Sequence, residues 1–296
     1  MPQQVKTAII PVAGLGTRVL PASKAIPKEM MPVADKPVIQ YVIEEAVAAG
    51  IEEIILVTRS GKEAIENHFD ANFELEHQLE HKGKTAILES VRNIVPASVT
   101  ITSVRQPSAK GLGHAVLCAK NNIAEAPFAV LLPDVLLFDN PNFGNDLAQM
   151  VANYNETQAS QIMVESVPEE RVEAYGIVDC EGAQIGTAET AKIVGMVEKP
   201  AREEAPSNLA VVGRYILTSD IMDILAKTPP GAGNEVQLTD AIVTLLNNQQ
   251  VDAYVMSAES HDCGNKLGYV QANIAAGLRH PDFGDQLREH IRSLDT

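Results

Sequence analysis

Hydrophobic and polar positions follow two periods along the chain. Short runs rich in Val and Ile at 7–12, 54–58, 99–104 and 128–132 predict strands. Between them, helical spacing of apolar residues predicts helices over 38–49, 62–69, 73–91 and 112–123, the first stopped by Gly50 in the place of a helix-ending glycine. This β-α-β-α-β-α-β order predicts a mostly parallel sheet covered by helices on both faces. The second half is less regular. Strands are expected at 162–167, 176–179, 193–198, 209–217 and 253–257, and helices at 220–227 and 237–247. That pattern suggests a mixed sheet. The tail, 266–294, reads as two helices around His280-Pro281. There is no internal repeat and no low-complexity linker, so the expected organisation is one α/β domain over 1–264 and a C-terminal helical appendage over 265–296.

Composition narrows the class. In 296 residues, 23 Lys and Arg stand against 39 Asp and Glu, a net charge of −16, so duplex nucleic acid and anionic membrane are poor partners for the surface. Three Cys exclude a disulfide scaffold and suit a reducing compartment. No apolar stretch approaches the roughly 18 residues of a membrane span. The start, MPQQVKTAII, has no signal-peptide pattern. A cytoplasmic protein is expected.

Ligands of open parallel sheets bind beyond the carboxyl ends of the strands. There the sequence places Ala13-Gly14-Leu15-Gly16-Thr17-Arg18, Thr58-Arg59, Gln106 with Lys110-Gly111-Leu112-Gly113, and Pro133-Asp134. A dinucleotide fingerprint fails, because Val19 stands where its third glycine belongs, prolines interrupt the following helix, and the second strand ends in Thr58-Arg59 rather than an acid. No Walker A spacing is present either. The segment 14–37 has little room for regular structure, and long irregular loops in compact domains are usually functional. It carries Arg18, Lys24, Lys28 and Lys36 against Glu29 and Asp35, a local reversal of the global charge that suits a polyphosphate.

The segment GLGTRVLPASKAIPKEMMPVADKP resembles the signature loop of the sugar-1-phosphate nucleotidylyltransferases. The likeness continues through Gln106, Lys110 to Ala115, Leu132-Pro133-Asp134, Ala174-Tyr175-Gly176, Val197-Glu198-Lys199-Pro200 and Ser207-Asn208-Leu209-Ala210. It ends with Gln237-Leu238-Thr239-Asp240-Ala241 and His261-Asp262-Cys263-Gly264-Asn265, so it covers nearly the whole chain. The resemblance implies a Rossmann-like three-layer α/β/α nucleotidyltransferase fold. It also implies an enzyme that transfers UMP from UTP to α-D-glucose 1-phosphate with Mg2+, by in-line attack without a covalent intermediate.

By the same resemblance, Arg18 and Lys28 hold the β- and γ-phosphates, and Ala13, Gly14 and Gly16 lie beside the nucleotide. Gln106 and Gly111 meet the uracil edge. Asp134 and Asp262 bind the metal, and Tyr175, Gly176, Glu198, Lys199 and Asn208 face the sugar phosphate. Without the resemblance, Asp134 reads as a turn former, Asp262 as the cap of a helix over 264–270, and Glu198-Lys199 as an exposed ion pair. A phosphate monoester is already ionised at pH 7, its second pKa being about 6, so no general base is required. The sequence accordingly offers no nucleophilic triad. His77 and His81 read as a solvated helix face and Cys118 as core, and in the Gly-rich motif the backbone rather than His114 is expected to act. Two competing readings are a thymidylyltransferase or another uridylyltransferase of the same fold, and a non-catalytic paralogue that binds nucleotide or UDP-sugar. The apolar residues Leu267, Val270, Ile274, Leu278 and Leu287 of the tail predict a homodimer or homotetramer.

Overall fold

The computed structural model describes residues 3–294; the first two and last two residues, which the expected unit bounds include, lie outside it. The first half runs β1 (Thr7–Pro11), β2 (Pro32–Val33), β3 (Lys36–Pro37), α1 (Val38–Ala48), β4 (Glu53–Thr58), α2 (Glu63–Phe69), α3 (Phe73–His81), α4 (Thr85–Arg92), β5 (Thr100–Arg105), α5 (Leu112–Cys118) and β6 (Phe128–Leu131). The second half runs β7 (Val135–Phe138), α6 (Asp146–Thr157), β8 (Ser160–Ser166), β9 (Gly176–Asp179), β10 (Thr190–Lys192), β11 (Gly195–Glu198), β12 (Leu209–Leu217), α7 (Asp220–Leu225), α8 (Leu238–Leu246), β13 (Val251–Val255), β14 (Glu259–Asp262), α9 (Lys266–Arg279) and α10 (Gly284–Leu294).

The main sheet has the order β10-β13-β8-β12-β6-β1-β4-β5, with β9 and β11 branching from β12. Strands β6, β1, β4 and β5 are mutually parallel, as the crossover pattern requires. Antiparallel β12 joins them to β8 and the parallel β13. The alternation of β1 sends Ile9 to one face and Ala8 and Ile10 to the other. Ile9 packs with Ile55, Val130 and residues of α5, α7 and α8, whereas Ile10 packs with Leu56, Leu131 and residues of α1 and α6. Both faces are therefore covered, and the mixed, mostly parallel α/β/α architecture agrees with the sequence reading. α9 lays Ala272 and Ala276 on Val33, Val38, Leu136 and Cys263, so the appendage packs on the signature segment and the short β7–β14 sheet.

Several expectations change. The single helix expected over 73–91 is two, α3 and α4, because Gly83 turns the chain at φ 65°. The segment 14–37 holds three 3-10 turns, Thr17–Val19, Ala22–Lys24 and Lys28–Met30, and the β2–β3 hairpin. Helix α6, capped by Asn145 accepting from the Ala148 N–H, and strands β7, β10 and β14 add to the expected set. Asp262 does not cap a helix. It ends β14, and Asn265 caps α9 by accepting from the Gly268 N–H at 2.8 Å.

Candidate active site

Asp134 follows β6, and Asp262 ends β14. The two are brought together by β7 and β14, whose antiparallel register pairs Val135 with Asp262, while the Cys263 N–H donates to the Asp134 carbonyl at 2.7 Å. One guanidinium ties this corner to the core. Arg214, fully buried in β12, pairs bidentately with Glu45 of α1 at 2.8 and 2.6 Å, and donates to the carbonyls of Leu132 (3.1 Å) and Val135 (2.8 Å). Its contacts therefore bracket Pro133-Asp134 on both sides.

The 3-10 turns of the signature segment bring cations to the same corner. Lys28, its side chain only 14% exposed, places Nζ 2.5 Å from Asp134 Oδ2. Arg18 is 62% exposed, and its two terminal nitrogens lie 3.4 Å from Asp134 and 3.4 Å from Asp262. Burial opposes a charge on Asp134, but Lys28 and Arg18 outweigh it and hold the carboxyl below its ordinary range. Next to Lys28, buried Glu29 accepts from Lys62 at 2.6 Å, which anchors the turn to the start of α2. Gly14 and Gly16 lie against the Lys28 side chain, Ala13 before them is buried, and Ser23 Oγ donates to the Gly16 carbonyl at 2.7 Å.

Gly264 sits where the carboxylates converge. A Cβ there would collide with Asp134, Arg18 and Asp262 together. Among the described residues no group of three or more His, Cys, Asp or Glu converges as a metal-holding set. Two carboxylates that face one exposed guanidinium suit a hard cation that takes its remaining oxygens from phosphates and water, the habit of Mg2+.

Gln106 follows β5, and Gly111 precedes α5 at φ 92°. The Gln106 amide nitrogen donates to the Gly111 carbonyl at 3.2 Å and contacts His114 Nδ1 at 3.0 Å. A third group forms across β9 and β11. Gly176 pairs in register with Glu198, whose Oε2 accepts from Thr239 Oγ1 at 2.7 Å. Lys199 is 62% exposed, 3.5 Å from Glu198, and its N–H donates to the Tyr175 carbonyl at 2.9 Å. Tyr175 OH is hydrogen-bonded to Arg171 at 2.6 Å. Pairing of Ala210 with Ile177 carries this group to the same sheet edge. The Asn208 amide nitrogen donates to Ser166 Oγ and the Val167 carbonyl, which pins the start of β12 to the end of β8.

Sequence reading missed Thr239, Lys62 and Arg214 and set His114 aside. Arg214 had a signal, a lone charge inside the apolar run VVGRYIL. Thr239 lay inside a motif that had no assigned role. The tie of Lys62 to Glu29 had no local signal at all.

A parallel-stranded edge that gathers cations, paired carboxylates and a Gly-rich loop defines a nucleotide-handling transferase, and the chain belongs to the Nucleotidyl transferase family, which matches residues 7–277. The UTP–glucose-1-phosphate uridylyltransferase of Escherichia coli (strain K12) is 56% identical over 96% of this chain and 94% of its own length. The enzyme of that name from Haemophilus influenzae is 55% identical over 97% and 98%. A UTP-bound UGPase from Acinetobacter baumannii superposes with a TM-score of 0.93 at 53% identity, over 98% of this chain and all of its own. A UDP-glucose pyrophosphorylase complexed with UDP-glucose gives 0.84 at 42% identity, over 93% and 100%.

Proposed function

We propose that this protein transfers UMP from UTP to α-D-glucose 1-phosphate, releasing pyrophosphate and forming UDP-glucose. The convergence of Arg18, Lys28, Asp134 and Asp262 at one corner carries the reading. The attacking group is an ionised phosphate oxygen of the sugar phosphate, and the obstacle is charge: one anion must approach another. Arg18 and Lys28 neutralise the β- and γ-phosphates and the departing pyrophosphate. Lys28, held by Asp134 here, exchanges that partner for phosphate. Asp134 and Asp262 would hold Mg2+, which when bound draws the phosphate oxygens together and offsets their charge. Gln106 and Gly111 take the uracil edge, and Ala13, Gly14 and Gly16 the nucleotide. Glu198, kept in place by Thr239, accepts from glucose hydroxyls over Gly176. Lys199 binds the sugar phosphate as a point charge, and Tyr175 and Asn208 border it.

Incubation with UTP, glucose 1-phosphate and Mg2+ tests the reading directly, with UDP-glucose and pyrophosphate expected in equal amounts. Binding of UTP without turnover would favour the non-catalytic alternative. Against that alternative, Arg18, Lys28, Asp134 and Lys199 are all present.

The reading extends to assembly and place. The outer face of α9 exposes Leu267, Val270 and Ile274, beside a groove of about 470 Å3 lined by Val19, Leu20, Pro21, Met31, Tyr269 and Val270. Helix α9 of the proposed 265–296 appendage packs on the unit before it and, through this face, on a second copy in a homodimer or homotetramer. Among the described residues no helix is long and apolar enough to cross a membrane. With three free cysteines, a cytoplasmic location fits.

A further inference from the structure

An amide has two unlike ends: Oε1 only accepts hydrogen bonds and Nε2 only donates them. Which end Gln106 presents decides which base it can read. The residue is 9% exposed, and its own N–H is held by the Thr58 carbonyl at 2.8 Å. Its Nε2 lies 3.2 Å from the Gly111 carbonyl oxygen and 3.0 Å from His114 Nδ1. A carbonyl only accepts, so the nitrogen end must face Gly111. With that end fixed, His114 Nδ1 must also accept, which places the ring proton on Nε2. Both amide protons are then engaged inside the protein, and Oε1 remains for the base.

We propose that His114 is a specificity-determining positioning residue, which locks the Gln106 amide so that the base site accepts uracil and rejects cytosine. The inference rests on the reading of Gln106 as a base contact. Uracil carries a proton at N3 and satisfies Oε1. Cytosine carries a lone pair there, and two facing acceptors leave both unsatisfied. Turning the amide to suit cytosine would set Oε1 against the Gly111 carbonyl, and His114 could follow only by moving its ring proton from Nε2 to Nδ1. Burial, helped by the cation of Lys110, lowers the affinity of the imidazole for a second proton, so the Nδ1 lone pair stays available at neutral pH. Cys118 Sγ, 4.0 Å from both ring nitrogens, is a weak partner and does not compete for it.

The test is the ratio of kcat/KM for UTP to that for CTP, both with glucose 1-phosphate, in the unmutated protein, His114→Phe, His114→Asn and Gln106→Leu. Taking the ratio within one preparation cancels any inactive fraction. His114→Phe keeps a planar ring but has no acceptor, and is expected to lower the ratio about tenfold while kcat for UTP stays within about twofold. His114→Asn, whose Oδ1 can accept in place of Nδ1, is expected to restore most of the ratio. Gln106→Leu is expected to lower it at least as much as His114→Phe. If the Phe variant kept the full ratio while Gln106→Leu lost it, Gln106 would read the base unaided and the proposal would be overturned. If Gln106→Leu kept the ratio too, the base-contact reading itself would fail, and the proposal with it.

Discussion

Asp134 shows how one residue draws on several parts of the chain. Its charge is sustained by Lys28 and Arg18, its carbonyl by the Cys263 N–H, the residues on either side of Pro133-Asp134 by Arg214, and the nearby Asp262 by the register of β14. Asp134→Asn is expected to lower kcat at least about a hundredfold, the scale of one electrostatic stabiliser, while the far-ultraviolet circular dichroism is unchanged. Near-unmutated turnover at saturating Mg2+ would remove it from the site. Lys199 is exposed and makes one loose ion pair, so little structure depends on it. Lys199→Ala should weaken glucose 1-phosphate binding by roughly 1.5–3 kcal/mol, the range for hydrogen bonds to charged groups, with the KM for UTP moving much less. Equal rises in both KM values would contradict a dedicated sugar-phosphate contact. The histidines set an acid limit on stability. Burial holds His68 and His114 below the usual 6.5, so the unfolded chain takes up protons that the folded chain resists. Their contribution is complete above the unfolded value and is lost as the pH falls through the folded values. Melting temperature should therefore fall as the pH drops below about 6.5, and His68→Gln should flatten that slope. At this scale, the motif-borne groups Arg18, Lys28, Asp134 and Glu198 were legible in the sequence. Their supports were not, because Lys62 and Thr239 act on residues far away in the chain, and the lone charge of Arg214, though visible, did not name its distant partner Glu45.

Elements were legible where periodicity was local. β1, β4 and β6 are continuous apolar runs, and α1 and α8 carry clear apolar faces. β14, Glu-Ser-His-Asp, has no such pattern and exists only because β7 pairs with it, so no local reading could find the sheet that joins Asp134 to Asp262. α6 was different, because Leu147, Met150, Val151 and Tyr154 follow helical spacing behind an Asn cap, a signal that was available and unused. Arg214 links β12, α1 and both sides of the β6–β7 turn. Arg214→Met would strand the Glu45 carboxylate in the interior and should cost about 3–5 kcal/mol in chemical denaturation, whereas Arg214→Met with Glu45→Leu should recover most of it. A single substitution with no effect on the denaturation midpoint would show that the turn is held without it.

The whole molecule carries a net charge of −16, yet the proposed reaction brings anionic substrates to one edge of the sheet. The mostly parallel architecture resolves this by delivering loop-borne cations to the carboxyl ends of β1 and β6, beside carboxylates suited to a divalent ion. Assembly is the other property of the whole. If the apolar face of α9 meets a second copy, light scattering at micromolar concentration should give a dimer or tetramer, and a clean monomer would contradict it. Arg18 and Lys28 are expected to stabilise departing pyrophosphate rather than merely bind UTP. Charge builds on the leaving oxygens as the α–β bond breaks, so both cations should matter more in the transition state than in the ground state. The decisive measurement is steady-state pyrophosphate release by the unmutated protein, Arg18→Ala and Lys28→Ala. The expected result is a kcat that falls further in each variant than the KM for UTP rises. A raised KM with kcat intact, or no pyrophosphate released by the unmutated protein, would contradict the account.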